Sequence, residues 1–223
     1  MKERILLSWS GGKDSCMTLY EIEKTHNYEI ATLLTTVTED YDRISMHGVR
    51  RVLLERQAQS LGLPLQKIYI SVNSSNQEYE SKMEEALRVH QKCGVQRVAF
   101  GDIFLADLRK YREENLFKIG MKGLFPIWKR DTRELVRAFV HLGFKAIVTC
   151  VDSKVLDRSF VGKPIDEDFL GELPARADPC GENGEFHSFV FAGPLFQEEI
   201  KFSVGEVVSR DSFWFCDLLP LNI

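Results

Sequence analysis

Ser10-Gly11-Gly12-Lys13-Asp14-Ser15 follows the apolar run Ile5-Leu6-Leu7 and opens a stretch with helical spacing, Cys16, Leu19 and Tyr20 on one stripe and Met17 and Ile22 beside it. A strand, a glycine loop and a helix start in that order make an anion site. Two glycines let the backbone approach a ligand with no side chain intervening. The free amides and positive dipole end of a helix start attract phosphate oxygens. Lys13 adds a full charge, Ser10 and Ser15 add hydroxyl donors, and Asp14 is placed to hold Mg2+ or to organise the loop. The spacing is neither the G-x-x-x-x-G-K-[ST] of a Walker loop nor the G-x-G-x-x-G of a dinucleotide fold.

Further strands are read at 30–37, 68–72, 98–100 and 146–151. Helices fall between them: one over 49–61 closed by Gly62, one entered through Ser75 and Glu78, a charged one through 108–119, and one entered through Asp131 and Glu134. Strands alternating with helical patterns predict an α/β fold, a doubly wound and mostly parallel sheet. The unbroken apolar run at 146–151 reads as a strand of that sheet, buried on both faces. After residue 152 the pattern changes to loop, short helix and short strands, so the chain is divided into a main part, 1–152, and a smaller C-terminal α+β part, 153–223. Ligands of open α/β sheets sit at the carboxyl ends of strands. That rule adds Thr36, Gly101 and Asp102 to the loop as ligand-binding candidates, with His47 either over the ligand or, the slightly favoured reading, at an ordinary helix start.

The chain has 223 residues, 44% hydrophobic and 28% charged, so it can build a core without staples. Lys plus Arg number 29 against 33 for Asp plus Glu, a net charge of -4 that argues against wrapping DNA. The five cysteines are scattered, as free thiols in a reducing compartment would be. No apolar run reaches the roughly 20 residues of a membrane helix, and the first residues have no signal-peptide core. The expectation is a cytoplasmic protein with no membrane contact. Phe213-Trp214-Phe215 is expected in the core or against a second subunit, which would make a homodimer.

A second motif, Asp178-Pro179-Cys180-Gly181-Glu182-Asn183-Gly184-Glu185-Phe186-His187, joins turn formers to two carboxylates and an imidazole. Glu182, Glu185 and His187 are candidates for proton transfer and for orienting an amine. The competing reading is an Asn-Gly hairpin with solvated glutamates. Arg109 and Arg112 belong to a charged helix face that usually faces solvent.

SGGKDS after the first strand resembles the pyrophosphate loop of the N-type ATP pyrophosphatases, and within them the chain is most similar to the diphthine–ammonia ligase family. The likeness runs through Leu61-Gly62-Leu63-Pro64-Leu65, Trp128 with Arg130-Asp131, Leu142-Gly143-Phe144, Leu156-Asp157, residues 180–186 and Gly193-Pro194-Leu195-Phe196. It implies an adenine-nucleotide-hydrolase-like fold with an ATP-binding first part and a substrate-binding second part. It also implies a ligase that uses ATP and Mg2+, with Asp14 as the metal ligand, adenylates a carboxylate and amidates it with ammonia. The implied acceptor is diphthine on elongation factor 2. Lys13 and Asp14 would serve the nucleotide, and Glu182, Glu185 and His187 the acceptor or ammonia. The chain departs from the family pattern at Asn183, His187, Ser188, the segment Ile44-Ser45-Met46-His47-Gly48-Val49-Arg50, Gly101-Asp102-Ile103 and Asp107-Leu108-Arg109. Those departures leave room for another acceptor, such as a small carboxylate or a corrinoid side chain. A nucleotide sensor without turnover is a third reading, disfavoured by the intact Lys13 and Asp14.

Overall fold

The computed structural model describes residues 2–221. Alternation along the first strand, β1 (Glu3–Ser8), explains the layers. Ile5 and Leu7 enter one buried cluster and Leu6 enters another, because successive side chains point to opposite faces. β2 (Tyr28–Thr38) repeats the device with Leu33 and Val37 on one side and Leu34 on the other. The remaining strands of this sheet are β3 (Arg43–Ile44), β4 (Leu65–Ile70), β5 (Arg97–Ala99) and β6 (Lys122–Leu124). β4, β2, β1, β5 and β6 lie parallel in that order, and β3 pairs antiparallel with Val37 and Thr38 of β2.

Helices α1 (Lys13–Thr25) and α2 (Arg51–Leu61) cover the first face. Helices α3 (Asn76–Lys92) and α4 (Ala106–Lys118) cover the second. This is the doubly wound, mostly parallel sheet expected from the sequence. Its helix boundaries have the expected causes. Ser75 Oγ accepts from Glu78 N at 3.1 Å, and the αL conformation of Gly62 closes α2. The chain runs outward from β1 through β2 to β4, then crosses back to β5. The switch point therefore lies between the carboxyl ends of β1 and β5.

The rest of the chain forms α5 (Thr132–His141), capped by Asp131, then β7 (Lys145–Asp152), α6 (Glu167–Glu172), β8 (Phe186–Ala192), β9 (Phe202–Arg210) and β10 (Phe213–Pro220). The four strands make a second sheet, order β8-β7-β10-β9, antiparallel throughout. This corrects the reading of 146–151 as part of the parallel sheet. β7 is a central strand of the second sheet, and its unbroken apolar run reflects cover on both faces rather than parallel pairing. The second sheet thus begins at Lys145, inside the first of the two parts expected from the sequence. β3 and β6, two and three residues long, carry too little pattern to be read beforehand.

The two sheets share one core, in which Val148 and Phe189 join Leu7, Cys16 and Leu53. Polar contacts reinforce it. Asp217, at an irregularity in β10, accepts from Arg50 Nη2 at 2.7 Å and Nε at 3.0 Å, and from Arg43 Nη1 at 2.8 Å. Arg43 also donates to the Gly48 carbonyl at 2.7 Å, so the clamp holds the 43–50 segment against the second sheet. Phe215 packs on Gly48 and Arg158 lies over the Trp214 ring, so both rings are engaged within the chain. The arginines hold the Asp217 carboxyl down to about 2, so its contribution is present above the ordinary carboxylate range and is lost as pH falls toward 2. Asp217→Asn should lower unfolding free energy at pH 7 by about 1–2 kcal/mol, the range for partly solvated charged hydrogen bonds. Urea denaturation checks this, and an unchanged midpoint would remove the clamp from the stability of the fold.

Candidate functional site

The loop between β1 and α1 is held from three directions. Trp9 N donates to the Leu34 carbonyl at 2.8 Å, which fixes the exit of β1 against β2. Gly11 sits at φ +78°, and a Cβ there would come within 2.6 Å of the Gln57 side chain. Only glycine satisfies both the dihedral and the contact. Its carbonyl accepts from Val190 N of β8 at 2.9 Å and from Gln57 Nε2 of α2 at 3.0 Å. Gln57 is fully buried, also donates to the Val190 carbonyl, and accepts from Trp9 Nε1 at 3.1 Å.

Helix α1 starts without a side-chain cap. Lys13 N instead donates to Ser188 Oγ at 3.2 Å, and Ser15 Oγ to the Gly12 carbonyl at 2.8 Å. Ser10 Oγ accepts from Gly12 N at 3.2 Å and lies 3.3 Å from Ser15 Oγ. Gly101, just past β5, packs on the Asp14–Ser15 backbone, 3.0 Å from where its own Cβ would be. The helix start therefore faces the switch point between β1 and β5.

Lys13 reaches into the second motif. It is 3% exposed, its Nζ lies 2.8 Å from Asp14 Oδ2, and it donates to the Cys180 carbonyl. Burial works against its charge, but Asp14 and the neighbouring Cys180 and Glu182 outweigh that and hold its pKa above the ordinary lysine value. Glu182 Oε1 accepts from Ile103 N at 2.7 Å and Phe104 N at 3.3 Å, tying the motif to the loop after β5. Burial raises its pKa despite these donors, with Asp14 and Asp102 adding to the rise.

His187 and His47 stand side by side, ring centroids 4.5 Å apart. His47 Nδ1 is 3.3 Å from the Ser188 carbonyl, and its Cε1 lies 3.1 Å from where a Cβ on Gly12 would be. Burial lowers the His47 pKa to about 4. Burial also pushes His187 well below its ordinary value, with His47 and Lys13 adding to the effect. Both rings are neutral at pH 7.

The structure thus gathers Ser10–Ser15, His47, Gly101, Glu182 and His187 at one junction. Three other candidates have different occupations. Glu185 is buried with both oxygens used inside its own loop, Oε1 by Asp178 N and Asn183 Nδ2 and Oε2 by Asn183 N. Through these bonds it shapes the motif. Thr36 takes Ser45 N on its carbonyl at 3.2 Å and supports the His47 segment. Asp102 faces Arg112, whose Nε lies 2.8 Å from its Oδ2. Among the described residues no group of three or more His, Cys, Asp and Glu side chains is placed to hold a metal. Cys180 is buried and its thiol pKa is raised by burial, so it has no nucleophile's setting.

Sequence reasoning missed Gln57 and Trp9, and gave Ser188 no function. A glutamine inside an otherwise apolar helix stripe, Leu53, Leu54 and Ala58, was the available signal for the first.

The N-terminal diphthamide synthase domain matches residues 1–123, and the C-terminal diphthamide synthase domain matches 131–221. The chain belongs to the diphthamide synthase family. Among similar proteins, the diphthine–ammonia ligase of Bos taurus is 28% identical over 98% of this chain and 90% of its own length. That of Homo sapiens is 28% identical over 94% of this chain and 87% of its own. That of Schizosaccharomyces pombe is 30% identical over 94% of this chain, which spans only 38% of that longer protein. The family's N-terminal domain ends before α5 and its C-terminal domain carries the second sheet, so the junction described above is built by both.

Two outcomes follow from this packing. Gln57→Leu leaves the buried Trp9 N–H without its acceptor and removes a donor from the Gly11 and Val190 carbonyls, and it should destabilise the fold by about 3 kcal/mol, read from urea midpoints. The histidines set a pH dependence. In the unfolded chain both take up a proton near pH 6.5, whereas in the fold His47 does so only near 4 and His187 well below 6.5. Their contribution to stability is complete above about pH 6.5 and declines as pH falls toward 4. A His47→Gln, His187→Gln double variant should lose stability less steeply between pH 7 and 5. Parallel profiles for variant and parent would contradict the assignment.

Proposed function

We propose that this chain is an ATP-dependent ligase of diphthamide synthesis, converting the carboxylate of diphthine on elongation factor 2 to an amide with ammonia. The observation that carries this reading is the contact of Lys13 Nζ, from the glycine loop, with the Cys180 carbonyl of the second motif. It joins the glycine loop to the motif that carries His187, which supports reading the loop as an anion grip beside the two histidines. The family membership and the names of the similar diphthine–ammonia ligases support the choice of reaction.

In this reading the triphosphate lies on the α1 start, with Ser10, Gly11, Gly12 and Ser15 offering donors and Lys13 turning from Asp14 to phosphate. An apolar cleft of about 90 Å3, bordered by Ser8, Leu34 and Phe100 beside the switch point, receives the base. Mg2+ suits the oxygen chemistry of Asp14, which would hold it together with phosphate oxygens and water; the ion neutralises phosphate charge when bound.

An oxygen of the acceptor carboxylate attacks the α-phosphorus, forming an acyl–O–P bond while the bond to pyrophosphate breaks. Lys13 and the α1 amides stabilise the charge on the departing pyrophosphate. Ammonia then adds to the acyl carbon, the bond to AMP breaks, and one nitrogen proton passes to a neutral imidazole. His187 is the acceptor for that proton, with His47 as its immediate neighbour. Glu182 holds the motif on the loop after β5. The free cysteines fit a reducing cytoplasmic setting.

ATP–pyrophosphate exchange with elongation factor 2 carrying diphthine tests the reading. Exchange should depend on the diphthine protein and fall at least roughly 100-fold in Lys13→Ala, the scale of losing one charge-stabilising group. His187→Ala should retain exchange and slow amide formation by roughly 100-fold. Exchange with a small carboxylate or a corrinoid but not with diphthine would move the same chemistry to another acceptor. Unchanged exchange in Lys13→Ala would overturn the site.

A further inference from the structure

A second cleft lies behind the motif, between α5, α6 and the loop from Leu173 to Pro179, with a volume of about 340 Å3. Arg133 and Arg137 line it from successive turns of α5. Nearly every guanidinium of this chain is engaged: all the other arginines meet a carboxylate, a main-chain carbonyl or an aromatic ring. Arg133 and Arg137 alone meet none among the described residues, and they are the two that share this cleft. The one carboxylate in the lining, Glu167, is turned to His141 Nε2 at 3.3 Å.

Like charges at this spacing repel each other on a helix. Arg133 also stands in the first turn of α5, where the helix dipole disfavours a cation. Both features are relieved by an oxyanion between the two forks, which match carboxylate or phosphate geometry with paired hydrogen bonds. The floor is apolar, with Val136, Leu170 and Ala177. A cleft of this size with few polar groups over an apolar floor suits a small organic molecule.

We propose that this cleft binds a small organic anion, its carboxylate or phosphate held by Arg133 and Arg137 and its apolar body on Val136, Leu170 and Ala177. The site is separate from the phosphate loop but adjoins in sequence the motif that Lys13 contacts. Pro179 lines the cleft, and the next residue, Cys180, presents the carbonyl that receives Lys13 and a thiol 3.2 Å from the Thr132 carbonyl of α5. The occupant would therefore rest on the segment that positions Lys13.

The test is a titration of the full chain with phenyl phosphate, phenylacetate and inorganic phosphate, following the Nε–Hε signals of arginine by NMR. Phenyl phosphate or phenylacetate should shift two arginine signals to saturation, and whichever binds tighter names the oxyanion. Inorganic phosphate, lacking the apolar body, should bind several-fold more weakly. Arg133→Gln and Arg137→Gln should each remove one of those signals and weaken binding by roughly tenfold, the effect of losing a charged hydrogen-bonding pair. Both side chains are exposed, so thermal midpoints and ATP binding should stay at the parent's values. Lys13→Ala should bind the aromatic anions as the parent does. Three results would overturn the proposal: no saturation by either aromatic anion, an affinity unchanged from the parent's in both arginine variants, or loss of binding in Lys13→Ala with displacement by ATP, which would put the anion on the phosphate loop.

Discussion

The Gly11 carbonyl accepts one hydrogen bond from the second sheet, through Val190 N, and one from α2, through Gln57 Nε2. Buried backbone groups need partners, and this loop finds them in its neighbours through its carbonyls and through Lys13 N on Ser188 Oγ. The consequences spread outward. β8 must lie against the start of α1, so its sheet must share a core with the parallel one. The Asp217 clamp then fixes the 43–50 segment, which brings His47 to His187. The junction is therefore a product of the sheet-to-sheet interface rather than of either sheet alone.

The electrostatics of that interface follow from burial. Lys13 keeps its charge in the interior because Asp14 and the groups around it compensate, while the two histidines, with no carboxylate against either ring, lose theirs. A charged lysine beside neutral imidazoles suits a reaction that first expels an anion and then takes up a proton. The same logic separates Glu182 from Glu185. One holds the motif to the loop after β5, and the other is consumed by Asp178 and Asn183 of its own turn region.

Much of the architecture was legible because it is written in local periodicity. The alternation at Ile5-Leu6-Leu7, the capping pairs at Ser75–Glu78 and Asp131–Glu134, and Gly62 after α2 each act within a few residues. The run at 146–151 was legible as a strand but not as a member of the second sheet. A strand buried on both faces looks the same in either sheet, since burial is what selects its apolar residues.

The sequence by itself determined that a strand, a glycine loop and a helix start follow one another at residues 5–22, because backbone geometry and helix amides are local properties. It also gave the alternation of the longer strands and helices and the lack of a long apolar run. Only the tertiary structure decided what that loop faces. The partners of Lys13, Gly11 and His47 lie at Cys180, Val190 and Ser188, more than a hundred residues away, and no local pattern encodes such pairings. The same holds for Arg133 and Arg137. Their spacing could be read from the chain, but their lack of partners is a property of the finished surface, where packing assigns each of the other arginines a place.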